Sequence, residues 1–137
     1  MARPESNSIP RNRPLAWGLA IAAAVFNVLG YTADLYQEAA WFDEAIHAFS
    51  LFALTYLAAS LLDGVVLTGR RTHPLLFILV LVGFGLGLGA AWEVAEWAYD
   101  QLTPGNAILG KADTISDLIM DTLGALAAGA LAVFRDP

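Results

Sequence analysis

Residues 74–100 read PLLFILVLVGFGLGLGAAWEVAEWAYD, with Glu93 the first charge after Pro74. About 20 apolar residues at 1.5 Å each cross the roughly 30 Å hydrocarbon layer of a bilayer, so the stretch predicts a membrane-spanning helix. Pro74 suits its first position, and Glu93, Glu96 and Asp100 mark its far end. Working outward, three further apolar runs of similar length cover residues 14–33, 45–67 and 114–134. Short connections make neighbours antiparallel. The expectation is an all-α polytopic membrane protein, with four transmembrane helices in one up-and-down bundle over residues 14–137. Residues 1–13, with Pro4, Pro10 and four Ser and Asn side chains, predict a flexible tail.

Composition agrees with the spans. The 137 residues are 58% hydrophobic and 15% charged, against about 45–50% and 25% in soluble domains, which excludes a soluble globular domain. With no cysteine, disulfides, thiolate metal sites, thiol nucleophiles and iron-sulfur clusters are excluded. A formal charge of -6 argues against nucleic acid as a partner. Arg3, Arg11 and Arg13 ahead of an apolar run, with Ala22 to Ala24 inside it, mimic a secretory signal. The apolar pattern nevertheless continues to Tyr31, which predicts a retained span.

The basic residues set the expected orientation. With both termini cytoplasmic, Arg3, Arg11, Arg13, Arg70, Arg71 and Arg135 lie inside and Lys111 alone outside, as the positive-inside rule requires. The outer half then holds 10 of the 13 acids.

An ionisable group within a membrane costs at least a few kcal/mol, so such groups need a partner or a use. Asp43 and His47 lie four apart, Glu93 and Glu96 three apart, and Asp113, Asp117 and Asp121 repeat every four, so each set shares a helical face. These stripes predict a convergent site of Asp43, His47, Glu93, Glu96, Asp117 and Asp121. Carboxylate oxygens with one imidazole suit a divalent metal such as Zn, Mn, Mg or Fe(II). The alternatives are a polar latch that holds the helices in register and a proton or cation relay. A relay needs a polar trail inward, for which the second span offers only Ser50, Thr55, Ser60 and Asp63. No serine sits in a nucleophile elbow, so catalytic residues stay unassigned. His73, among Arg70, Arg71 and Thr72, reads as a solvated loop residue.

Gly83 with Gly87 and Gly85 with Gly89 form two interleaved Gly-x-x-x-Gly pairs; Gly124 with Ala128 and Ala125 with Gly129 offer small surfaces on the fourth span. Close packing of the third span on the fourth is expected, ahead of a homo-oligomer seam.

The segments Asp43-Glu44-Ala45-Ile46-His47-Ala48-Phe49, Trp92-Glu93-Val94-Ala95-Glu96-Trp97, Asp113-Thr114-Ile115-Ser116-Asp117 and Asp121-Thr122-Leu123-Gly124-Ala125 resemble, in that order, the YjdF-like family of small bacterial inner-membrane proteins. They are more distantly similar to VanZ-like proteins, but with Glu96 where a glutamine is usual, Asp121 where an asparagine is usual and no arginine before Asp113. The resemblance implies a multi-pass protein of the bacterial inner (cytoplasmic) membrane and imports no activity.

Two functions fit. One is a membrane-embedded, metal-dependent enzyme acting on a lipid or lipid-linked substrate, with an ion-activated water as nucleophile. The other is a non-catalytic accessory or assembly subunit of a larger membrane complex, the acidic cluster being a structural polar network.

Overall fold

The computed structural model describes residues 13–39, 41–62 and 73–134. They form four long helices and one short one: α1 (Arg13–Thr32), α2 (Leu35–Glu38), α3 (Phe42–Leu62), α4 (Pro74–Leu102) and α5 (Lys111–Phe134). The long helices are each long and apolar enough to cross a membrane, with α4 the most apolar. At 29 residues α4 runs roughly 43 Å, so its acidic end projects past a hydrocarbon layer of about 30 Å. Leu15, Trp17, Ile21, Leu75, Leu79, Val94 and many other large apolar side chains point outward, as a lipid-facing surface allows.

The all-α bundle is as expected, but its helix ends differ. α3 starts at Phe42 rather than residue 45, which puts Asp43 and Glu44 in its first turn. α5 starts at Lys111 rather than residue 114, with Asp113 in its first turn. Acids favour the positive N-terminal end of a helix dipole, so the helices extend beyond the apolar runs to include these acids. The single turn α2 is an addition; Asp34 enters it in the left-handed region at φ 53°. The tail through residue 12, Asp63, Arg70, Arg71 and Arg135 lie outside the described residues.

α3 is the central helix, packed on α1, α4 and α5. Its neighbours approach closely where side chains are small. A Cβ on Gly124 of α5 would overlap the Ala48 carbonyl and approach the Phe52 nitrogen of α3. Gly85 and Gly89 of α4 face Ala125 and Asp121 of α5, and Gly129 of α5 faces Ile78 of α4. The interleaved glycine motif is thereby divided: among the described residues, a Cβ on Gly83 or Gly87 would meet nothing within 4 Å, so neither takes part in helix packing there. Gly124 likewise serves α3, not α4 as the spacing suggested. The reason is rotational phase: with every face of α4 apolar, hydropathy does not say which glycine pair turns inward.

The bundle has two unlike ends. Tyr56, Leu57, Ala59, Phe77, Leu81, Ala128 and Ala132 pack with Ala16 into an apolar core at one end. The acids gather at the other. Between α1 and α3 the join is polar: Asn27 Nδ2 donates to Ser50 Oγ at 3.0 Å, and Tyr36 Oη donates to Asn27 Oδ1 at 3.0 Å. Burial pushes the Tyr36 hydroxyl above the usual tyrosine range, with Tyr31, Asp43 and Glu96 adding to the shift, so it remains a donor.

Candidate metal centre

Three helices bring the other five expected residues around the His47 imidazole. The i, i+4 spacing of Asp43 and His47 turns both towards α5 and α4, and His47 is only 6% exposed. Its Nδ1 stands 3.0 Å from Asp121 Oδ1, and its Nε2 3.7 Å from Asp43 Oδ1. The second distance is too long for a hydrogen bond. In the neutral ring, donation to Asp121 places the hydrogen on Nδ1 and leaves a lone pair on Nε2.

Two sets of ligand atoms converge on that ring, each within 4.8 Å of one another: Asp43, His47 and Asp117, and His47, Glu93 and Glu96. Two ligand atoms about 2.0 to 2.2 Å from a shared ion sit roughly 3 to 3.6 Å apart, so small side-chain shifts would close either set on a cation. Asp121 falls in neither set and instead holds the far nitrogen of the ring. Metal-binding histidines are commonly oriented in this way.

The site is deeply buried and incompletely satisfied. Asp121, Asp117 and Glu93 are 0%, 2% and 7% exposed. Among the described residues Glu93 Oε1 and Asp121 Oδ2 have no hydrogen-bond partner. An unpaired buried carboxylate oxygen costs a few kcal/mol or more, and a cation is the neighbour that removes this cost.

Two further residues shape the cluster. The indole of Trp92 donates to Glu96 Oε1 at 2.9 Å, one helical turn away. Gly89 has no side chain because the Asp121 carboxylate occupies the space a Cβ would need. Neither had been singled out as part of the site. The Trp92-to-Glu96 spacing of four was a usable signal; the Gly89 contact crosses between helices and leaves no local one. Asp100 and Asp113 stay out of the cluster and organise the connection between α4 and α5. Asp100 accepts from the backbone N–H groups of Ala107 at 2.7 Å and Ile108 at 2.9 Å, and Asp113 from that of Leu109 at 2.9 Å.

Comparison with known proteins gives two findings. The family described as predicted membrane protein (DUF2238) matches residues 6–136. An uncharacterised protein of Thermotoga maritima is 32% identical over 111 residues, covering 77% of this chain and 56% of that protein, so the chain spans little more than half of the relative's length. No solved structure matches.

Proposed function

Because the chain belongs to the DUF2238 family of predicted membrane proteins, we propose that it is a multi-pass protein of the bacterial cytoplasmic membrane that binds a divalent cation through its carboxylate and histidine cluster and acts on a lipid or lipid-linked substrate. The YjdF-like resemblance is compatible with this family; the VanZ-like one has no support and carries nothing here. The observation behind the reading is that the ring of His47, paired with Asp121, shares two close groups of ligand atoms with carboxylates from α3, α4 and α5.

In this reading either Asp43 and Asp117 or Glu93 and Glu96 supply oxygen ligands with His47, and Asp121 fixes the ring. A divalent cation there would polarise a substrate oxygen and acidify water. A carboxylate not engaged with the ion is then the base. Six of seven basic residues on one side support both termini being cytoplasmic, with the cluster at the outer face. Metal analysis of the purified protein tests the reading: about one Zn, Mn, Mg or Fe per chain supports it, and none after loading refutes it.

A second reading is favoured by the bonds that join helices, Asn27 to Ser50 and His47 to Asp121. There the cluster is a structural network in an accessory subunit of a membrane complex. It requires a stoichiometric protein partner in mild-detergent purification, and a stable solitary chain with full metal content excludes it.

A further inference from the structure

A cavity of about 420 Å³ lies between α1, α3 and α4, beside the cluster. Its volume falls within the range of about 300 to 1,000 Å³ typical of ligand pockets. Ala20, Ala23 and Ala24 create the space along α1, and Leu54 of α3 and Leu88 of α4 complete apolar walls. Asn27 and Ser50 also line it, but they are hydrogen-bonded to each other, and Asn27 further to the Ala23 carbonyl and Tyr36. The lining residue that also belongs to both candidate ligand sets is His47.

The cavity opens sideways. Among the described residues α1 packs mainly on α3 and α2, and none of its Cα atoms comes within 8 Å of one in α4 or α5. The cleft between α1 and α4 is therefore unsealed along segments apolar enough to lie in a membrane, with Leu54 and Leu88 partly exposed at 39% and 36%. What meets an apolar cleft at that depth is bilayer hydrocarbon, not water.

A second hollow of about 180 Å³ has the opposite character. Asp43 and Glu96 of the cluster border it together with Tyr31, Tyr36, Tyr99 and the 105–109 connection. The cluster thus has an apolar chamber on one side and a polar vestibule on the other.

We infer that the chamber between α1, α3 and α4 binds the hydrocarbon chain of an amphiphilic lipid entering laterally from the bilayer, with its polar end presented to His47 and the vestibule. The inference deepens the lipid-directed reading above and names where the chain lies. The alanines of α1 are then specificity residues, because they set the room available to the chain.

The test uses the full chain in detergent, with native mass spectrometry against two probes, a diacyl phospholipid and a polyprenyl phosphate. At least one should give a single retained adduct per chain, and the stronger one identifies the lipid class. Ala24→Phe, which fills the chamber from its lip, should reduce that adduct several-fold, as should Leu54→Trp from the α3 side. Val28→Phe, on the 60% exposed face of α1, should leave it unchanged. Zinc content should be equal in all four proteins. Absence of an adduct with both probes, or an adduct indifferent to both filling variants, overturns the inference. A chamber-dependent adduct in a protein that takes up no divalent metal sustains the inference and refutes the metal-dependent function.

Discussion

Asp121 of α5 and His47 of α3, 74 residues apart in sequence, meet at 3.0 Å with both side chains buried. The contact joins the two most extensively packed helices and fixes the orientation of the ring. Asp121→Asn keeps the volume but removes the charge that orients the imidazole. It should weaken divalent metal binding about 10- to 100-fold, the usual effect of losing such a partner, with the helical circular dichroism spectrum intact. Isothermal titration of the purified variant with zinc reads the change directly.

Gly89→Ala places a methyl group where the Asp121 carboxylate lies. Overpacking of this kind costs roughly 1 to 3 kcal/mol. The variant should melt earlier and lose metal together. Gly87→Ala, with nothing within 4 Å, should stay within about 0.5 kcal/mol of the parent, and the pair can be compared by thermal melting in one detergent.

Glu93→Ala and Asp100→Ala should separate by kind as well as by degree. Glu93 lies 7% exposed within the cluster, so its loss should lower metal content. Asp100 holds two backbone N–H groups of the connection, so its loss should cost about 1 to 3 kcal/mol locally and leave metal content unchanged. Hydrogen exchange should then accelerate at residues 105–109 in the second variant alone. Equal metal loss in both would contradict the assignment of Asp100 to the connection.

Removing the ion should expose the repulsion it offsets. A chelator applied to protein held at about 100 times the dissociation constant withdraws roughly 2.7 kcal/mol of stabilisation, seen as an earlier melt that zinc restores. A variant lacking both Glu93 and Asp117 carboxylates, each replaced by its amide, should show almost no chelator effect.

The four long helices were legible because each is a run of apolar residues of membrane-crossing length. The meeting of Asp43 with His47 and of Glu93 with Glu96 was legible because spacings of four and three place side chains on one face. The starts of α3 and α5 were less legible, since the apolar runs begin at residues 45 and 114 and the helices extend past them to Phe42 and Lys111. The division of labour among Gly83, Gly85, Gly87 and Gly89 was not legible, because a helix apolar on all sides gives no cue to its rotation. Asn27 stood out as the polar residue of the first span, but its partners Ser50 and Tyr36 lie on other elements, and no local pattern names them.

The distance of the α1 backbone from α4 and α5 sets the outer wall of the proposed lipid chamber apart from the candidate ligand set. α3, α4 and α5 carry the whole ligand set, and α1 contributes only wall. On the proposed reading, exchanging one alanine-rich face of α1 for another would reshape the chamber and leave the candidate ligands in place. Divergence in the proposed lipid recognition is then expected to collect between residues 20 and 27, ahead of any change among those ligands.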